Sequence, residues 1–431
     1  MENKTLGWSI LILLSLAPVL LLFLFGPSTQ DIFSYSELTH KLGQITALIG
    51  MTMFALTFIL STRIKFIEDL FGGLDKVYIS HGIIGGTALI LLLFHPILLV
   101  LKFVPSDINL AAAYLLPSDY WSANFGIIAL VGLILLIFIT LYTSIRYHKW
   151  KISHKFLGLV FIFAVIHIFL IRNSGARDYI FSGYYVYAAI VSFIGLAGFF
   201  YTLFLKKVIV KEAIYKIESI IKEKEAYKFV FVPVNKSIEY KSGQFIFVRF
   251  YNENLSKEQH PFSIASKSNH EKIIIFVKNL GDFTSNMHHV RVGDKVAIEG
   301  PYGRFNTKQN VDQVWIAGGI GITPFIGMVE DLNEKMKNKV DLYYSVRSKE
   351  DFVALENFKE TEKINPNFHV FPWITSEKGH LTMKEVIKNS KDNNPDFYIC
   401  GPSGFKNSIR DSLIEIGVNE EKIHTEEFSF R

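Results

Sequence analysis

The chain has 431 residues, with 45 Lys and Arg against 40 Asp and Glu and a formal net charge of +5. That basic excess is spread along the chain, with no cluster dense enough to argue for nucleic acid as a partner. Its single cysteine, Cys400, excludes both an intrachain disulfide framework and a cysteine-ligated metal centre.

The charge is unevenly divided. Residues 1–205 are apolar, with charges confined to short gaps, whereas residues 206–431 hold most of the Lys, Glu and Asp. A membrane half and a soluble half are expected, the second long enough for two domains. The expected architecture is a six-helix membrane bundle over 1–205, a β-barrel domain over 206–308 and an α/β nucleotide-binding domain over 309–431.

Apolar runs long enough to cross roughly 30 Å of hydrocarbon fall near 6–25, 44–62, 77–101, 125–145, 154–171 and 183–205. The first follows Lys4, as in a signal peptide. It is long for that role and leads into Gly26-Pro27-Ser28 rather than a small-residue cleavage pattern, so it is read as a spanning helix. Six spans put both termini on one side. The connections on that side hold Arg63, Lys65, Lys76, Arg146, Lys149, Lys151, Lys155, Lys206, Lys207 and Lys211, against Lys41, Lys102, Arg172 and Arg177 opposite. The positive-inside rule then places the soluble half in the cytoplasm of a multi-pass cell-membrane protein.

Four histidines lie in or at the ends of two of these runs: His81 and His95 fourteen residues apart, His154 and His167 thirteen apart. Ionisable groups inside a membrane are costly and commonly functional. Each separation covers about 20 Å of helix. The two helices run in the same direction, so His81 faces His154 near the inner surface and His95 faces His167 toward the outside. Each pair is a candidate for axial ligation of a haem iron, and four independent core histidines are the competing reading. Gly85 and Gly158, each four residues after an inner histidine, leave helix surface bare for a flat macrocycle; ordinary small-residue packing is the alternative. The second spacing strains this arrangement. Fourteen residues return to within about 40° of the same helix face, but thirteen end about 140° away. The fifth helix must therefore be locally unwound or overwound, or its histidines point along different azimuths. Pro96, after His95, should loosen the third helix.

Beyond Lys211, strands are expected at Ala213–Glu218, Tyr227–Val232, Phe245–Phe250 and Lys272–Lys278, forming a small antiparallel barrel. Strands then alternate with helices, at Gln313–Ala317, Val340–Ser345, Phe368–Trp373 and Asp396–Cys400, as in an open α/β sheet. The first of these enters Gly318-Gly319-Ile320-Gly321-Ile322-Thr323-Pro324. A glycine-rich turn between strand and helix lets backbone N–H groups approach a pyrophosphate, with Thr323 as the helix cap and Pro324 at its first position. The last strand ends in Cys400-Gly401-Pro402-Ser403-Gly404. In the barrel stand His260-Pro261-Phe262-Ser263, Gly281-Asp282-Phe283-Thr284 and Gly300-Pro301-Tyr302-Gly303.

Taken in this order, these motifs resemble the flavin and nicotinamide modules of the ferredoxin-reductase superfamily. With the histidine helices, residues from about 40 onward resemble the NADPH oxidase and ferric reductase family of transmembrane flavocytochromes b in a bacterial form. The resemblance implies FAD, two haems b and NADPH as cofactors, with NADH as the alternative nucleotide. It implies that His81, His95, His154 and His167 ligate haem iron. Phe262 would pack on the flavin ring and Ser263 would lie near its N5. His260, in the same motif as Pro261, would face the phosphates, and Gly281 and Thr284 would form the flavin-pyrophosphate turn. Gly318, Gly319, Gly321 and Thr323 would take the nicotinamide nucleotide, and Cys400, Gly401 and Pro402 would lie near the nicotinamide. Phe430, with Phe428 as fallback, would cover the flavin. Arg347 and Lys349 stand where a cation meets a 2′-phosphate, with surface charge as the competing explanation. Phe161 is a candidate bridge between the haems, or a core phenylalanine.

The implied reaction passes electrons from cytoplasmic NADPH through FAD and both haems to an external one-electron acceptor. The preferred acceptor is oxygen, giving superoxide; the alternative is a ferric chelate. Oxidases of the family often carry a cation one turn after the outer histidine, where this chain has Leu99; Arg172 is a substitute. A reading of another class is a haem-binding membrane protein with a degenerate reductase half. Besides the lipid bilayer and the acceptor, no obligate protein partner is evident.

Overall fold

A computed structural model describes residues 3–25, 34–104, 106–143, 145, 147–171, 183–308, 310–332, 336–389 and 394–427. The chain packs as two units, Met1–Ile209 and Val210–Arg431.

The first unit is helical: α1 (Asn3–Phe25), α2 (Tyr35–Leu60), α3 (Lys65–Phe71), α4 (Leu74–Leu101), α5 (Ile108–Ala113), α6 (Trp121–Tyr142), α7 (Tyr147–Lys155), α8 (Leu157–Leu170), α9 (Gly183–Phe200) and, after a π turn, α10 (Lys206–Ile209). Six stretches are long and apolar enough to cross a membrane, at Thr5–Leu24, Tyr35–Leu60, Leu74–Leu101, Trp121–Tyr142, Tyr147–Leu170 and Tyr185–Ile209. They match the six apolar runs, and the unit is a multi-pass membrane bundle. Large apolar side chains such as Leu13, Phe138 and Phe193 stay exposed, as the lipid-facing side of such helices requires. The interior is built from Met51, Phe54 and Ala55 of α2, Ala88 of α4, Ala129 and Leu133 of α6, and Leu157, Val160 and Phe161 of α8.

The fifth span is two helices. Phe156 interrupts it between α7 and α8, so His154 and His167 sit on separate rods. This resolves the thirteen-residue spacing, because each histidine takes its own azimuth. Pro96 does not interrupt α4. Pro18 lies inside α1 and, lacking an N–H, cannot donate to the Leu14 carbonyl four residues earlier. The Tyr187 hydroxyl on α9 donates to that carbonyl instead. A proline in one helix thus creates the acceptor that ties it to another.

In the second unit, β1 (Ala213–Glu223), β2 (Ala226–Pro233), β3 (Phe245–Phe250), β4 (His260–Ser263), β5 (Ile273–Lys278) and β6 (Lys295–Tyr302) form one antiparallel sheet in the order β4-β3-β6-β1-β2-β5. It curls around Tyr215, Phe229, Phe231, Ile246, Phe250 and Ile298. The parallel sheet β11-β10-β7-β8-β9 is formed by β7 (Gln313–Gly318), β8 (Val340–Val346), β9 (Phe368–Ile374), β10 (Asp396–Cys400) and β11 (Ile423–Thr425). Its helices are α11 (Thr323–Glu330), α12 (Leu355–Ile364), α13 (Thr375–Lys378), α14 (Met383–Asn389) and α15 (Ser403–Glu415). Strands β7, β8 and β10 are buried throughout, in keeping with their largely apolar sequences, although Gln313, Asp341, Ser345 and Asp396 are buried with them. Strands β4, β6 and β11 were not expected. His260-Pro261-Phe262-Ser263 is itself an edge strand, where proline is tolerated.

Replacing Tyr187 by Phe leaves the Leu14 carbonyl without its donor in an apolar medium. The bundle is expected to lose about 0.6 to 1.7 kcal/mol, the range of interhelical hydrogen bonds in membranes. Denaturation of the detergent-solubilised chain measures this, and an unchanged midpoint would show that the bond contributes nothing.

Candidate functional site

The four histidines meet in two pairs. The rings of His81 and His154 have centroids 6.0 Å apart and planes inclined by 56°. Those of His95 and His167 are 6.4 Å apart, inclined by 68°. The ring nitrogens are not equivalent. His81 Nδ1 lies 3.0 Å from the Thr57 carbonyl, His95 Nδ1 2.8 Å from that of Gly43, and His167 Nδ1 2.7 Å from that of Ser122. A carbonyl can only accept, so in each case Nδ1 carries the proton. The Thr140 hydroxyl donates to the Leu136 carbonyl at 2.7 Å, so it accepts from His154 Nδ1 at 3.3 Å. Every Nε2 is therefore left with a lone pair. Orienting a metal-ligating imidazole through its second nitrogen is the usual arrangement.

The spacing fits a metal between the rings. With metal–nitrogen bonds of about 2 Å and ring centroids about 1.1 Å behind the nitrogens, two axial imidazoles have centroids roughly 6.3 Å apart. Among the described residues no three His, Cys, Asp or Glu side chains converge. A metal held by two histidines alone needs its remaining ligands from elsewhere, as a haem macrocycle provides. The helices allow for this: α2 packs closely on α4 and α6 on α8, while α4, which carries His81 and His95, is not closely packed on α7 or α8, which carry His154 and His167.

The glycines divide by role. A Cβ on Gly82 or Gly86 would meet nothing within 4 Å, and one on Gly85 only Thr57 Cγ2 at 3.7 Å, so this face of α4 is open. Gly158 differs from expectation: a Cβ there would lie 2.0 Å from Phe199, so Gly158 serves helix packing. Gly126 was not singled out by sequence reasoning, yet a Cβ there would lie 2.7 Å from the His167 ring. The four acceptors Gly43, Thr57, Ser122 and Thr140 were also missed, since no local pattern marks an acceptor that will meet a distant ring. Phe161 is fully buried against Phe54 and Phe58, with centroids at 5.2 and 4.9 Å, which is a core position.

In the second unit, the His260 ring stacks on Phe283 with centroids 3.6 Å apart, bringing two motifs together. Pro261 and Phe262 pair with Phe247 and Ile246 across β3 and are only partly buried. Ser263 Oγ is buried with no hydrogen-bond partner among the described residues, so a ligand atom there would satisfy it. Thr284 Oγ1 accepts from the N–H groups of Leu280 at 2.9 Å and Gly281 at 3.0 Å, closing the turn from within. Gly281 has open space where a Cβ would stand.

The two glycine loops meet at the carboxyl ends of β7 and β10, where Ala317 pairs with Cys400. The chain runs β7-β8-β9 to one side and returns to β10 on the other, so this is the switch point where open α/β sheets bind ligands. A Cβ on Gly321 would lie 2.5 Å from the Cys400 carbonyl oxygen, and one on Gly401 would lie 3.1 Å from Gly318 Cα. Gly319 differs, with φ of 55° and open space around it, which leaves its backbone accessible. Thr323 is not the side-chain cap expected of it. A 3-10 turn over Gly319–Ile322 runs straight into α11, and the Thr323 hydroxyl donates to the Ile320 carbonyl at 3.0 Å. Gly327 of α11 approaches Ser266, three residues beyond Ser263, so the nucleotide-loop helix docks beside the His260–Ser263 strand. Pro402 precedes α15, and Arg347 and Lys349 are exposed just after β8. Phe428, Phe430 and Arg172 lie outside the described residues.

Comparison with known proteins identifies three domains. Residues 46–165 match the ferric reductase like transmembrane component, residues 213–306 an FAD-binding domain and residues 315–411 an oxidoreductase NAD-binding domain. A ferric reductase-like transmembrane component followed by a ferredoxin-reductase-type FAD and NAD module matches the architecture of NADPH oxidases and ferric reductases. It is an oxidoreductase with FAD- and NAD-binding domains. It is 31% identical to a probable dihydroorotate dehydrogenase B (NAD(+)) electron transfer subunit of Methanocaldococcus jannaschii, over 44% of this chain and 69% of that one. It is 28% identical to a flavohemoprotein of Rhizobium meliloti, over 44% and 53%. The chain thus spans only about half the length of several curated relatives. The FAD/NAD-binding domain of a Vibrio cholerae nitric oxide dioxygenase aligns with a TM-score of 0.46 at 25% identity, covering 50% of this chain and 98% of that one.

Burial pushes the Cys400 thiol well above its ordinary range; Glu426 adds to this and Lys406 opposes it. The folded chain therefore keeps a proton that the unfolded chain releases above about pH 8.5, and stability falls by up to about 1.4 kcal/mol per pH unit beyond that point. Cys400→Ala should flatten this part of the profile. Chemical denaturation of both proteins from neutral to alkaline pH tests it, and parallel profiles would show that the thiol contributes nothing.

Proposed function

We propose that the chain is a transmembrane NAD(P)H-dependent reductase that delivers single electrons to an acceptor outside the cell. The carrying observation is the commitment of all four histidine Nδ1–H groups, which leaves four Nε2 lone pairs in two facing pairs. In this reading His81 and His154 hold one haem b, and His95 and His167 a second. His260, Pro261, Phe262, Ser263, Gly281 and Thr284 hold FAD. Gly318, Gly319, Gly321, Thr323, Cys400, Gly401 and Pro402 hold the nicotinamide nucleotide. When bound, flavin takes the two electrons of a hydride and releases them singly, and haem accepts one electron at a time.

The residues supply placement. Ser263 Oγ offers a hydrogen bond to the flavin edge, and Cys400 lies near the nicotinamide as a neutral thiol. Phe430, outside the described residues, would cover the face of a bound flavin. His81 with His154 and His95 with His167 would each hold a haem iron from both sides, and the acceptor would be met at the outer end of the bundle. The excess of Lys and Arg in the connections on the side of the soluble half supports a cytoplasmic location for it. The domain division follows at 206 and 309.

Oxygen, giving superoxide, is the first acceptor. One observation favours a ferric chelate as the second reading. Leu99, one turn after His95, is buried, and a Cβ on Gly43 would lie 3.0 Å from it, so no cation occupies that position.

The test is to purify the chain with haem and FAD, add NADPH without oxygen, record the visible spectrum, and then admit oxygen. Haem reduction followed by rapid reoxidation with superoxide is expected. Reduced haem that persists until a ferric chelate is added would select the second reading, and absence of any bis-histidine spectrum would refute the proposal. Arg347→Ala should lower kcat/KM for NADPH about tenfold relative to NADH, a loss of about 1.4 kcal/mol. An unchanged ratio would make Arg347 plain surface charge.

A further inference from the structure

The four histidines are not held alike. Three are anchored to backbone carbonyls at 2.7 to 3.0 Å, whereas His154 is anchored to a side-chain hydroxyl at 3.3 Å. His154 also lies at the end of α7, a helix of nine residues with none buried, separated from α8 at Phe156. Neither its hydrogen bond nor its helix fixes the plane of its ring firmly.

Trp150, one turn earlier on the same face, supplies what is missing. Its indole stacks on the His154 imidazole with centroids 5.3 Å apart and planes 21° from parallel. Tyr147 stacks on Trp150 from the other direction at 5.5 Å and 26°. Lys151 Nζ lies 5.8 Å from the Tyr147 ring. None of the other three histidines has an aromatic ring stacked on it among the described residues.

We infer that Trp150 is a positioning residue for the inner histidine pair, fixing the plane of the His154 ring and so the electronic surroundings of a metal held between His81 and His154. The inference rests on the proposal that this pair holds a haem. Ligand orientation and the groups packed on a ligand ring are known levers on a metal's potential. The outer pair, with both rings on carbonyls, does not depend on Trp150.

The test is a potentiometric titration of the full chain loaded with haem, followed in the visible spectrum. The wild type should show two one-electron components, and His154→Ala identifies the inner one by removing it. Trp150→Leu is expected to displace the inner component by at least a threefold change in its reduction equilibrium, about 28 mV at 59 mV per decade. Trp150→Phe, which keeps a stacking ring, should displace it less, and the outer component should not move. If Trp150→Leu does not accumulate as folded protein, Trp150→Phe against wild type decides: displacement confined to the inner component supports the inference, and superimposable curves overturn it. Unmoved components in Trp150→Leu, or equal movement of both, also overturn it. A wild-type chain without a bis-histidine spectrum removes the haem reading and this inference with it. A normal wild type with an indifferent Trp150→Leu removes the inference alone.

Discussion

The bundle depends on one constraint: each facing imidazole has one nitrogen committed, so that the other is free. An imidazole left to itself in an apolar bundle could present either tautomer and either edge. Here three carbonyls and one hydroxyl settle the choice. The carbonyls belong to helices, and a carbonyl oxygen can accept a second bond. The Thr57 carbonyl accepts from the Ser61 N–H at 3.1 Å and also from His81, using both its lone pairs. The Gly43 carbonyl likewise accepts from the Thr46 hydroxyl and from His95. Acceptors with spare capacity, already oriented by their own helix, are a low-cost way to fix a polar ring inside a membrane.

The soluble unit meets a comparable need by removing atoms. At the meeting of β7 and β10 the strand ends must come close, and glycine at 318, 321 and 401 allows it. That closeness leaves Gly319, in its left-handed conformation, facing open space at the switch point of the sheet. In the curled sheet, stacking of His260 on Phe283 joins two segments far apart in sequence, and Ser263 is left with a buried hydroxyl directed to no partner among the described residues. In both units a polar group is positioned by the fold and then left unsatisfied by it, which is the mark of a prepared site rather than a packed one.

The legibility of these features follows physical range. The six spans were plain because membrane insertion is written in local hydropathy. The buried parallel strands were plain because each is rich in β-branched and aromatic residues. The pairing of His81 with His154 and of His95 with His167 followed from equal depth along parallel helices. What escaped is set by long-range packing. Gly126 matters only because His167 lies against it, and Gly158 was misread because Phe199, on another helix, fills its groove. Thr323 fulfilled the local rule for a cap, but the preceding 3-10 turn removed the free helix end that a cap requires. Strand β4 was missed because its proline argues against a strand until its place at the sheet edge is known.

The two sides of the histidine site are built to different tolerances. On the first side, the acceptors Gly43 and Thr57 are fourteen residues apart on α2, and so are His81 and His95 on α4. Antiparallel helices accommodate equal spacings directly, and α4 runs unbroken through Pro96. On the second side, Ser122 and Thr140 are eighteen residues apart, while the histidines they hold are thirteen apart. The two spacings differ by five residues, about 7.5 Å of helix rise. The chain absorbs the mismatch by ending α7 at Lys155, turning at Phe156 and beginning α8 at Leu157. It also reaches His154 with a side-chain hydroxyl in place of a carbonyl. The break that looked like a flaw in the histidine spacing is therefore what lets both rings on this span face their partners. Of the four rings, His154 is the one held by the longest contact and by a side chain, at the break between the two helices.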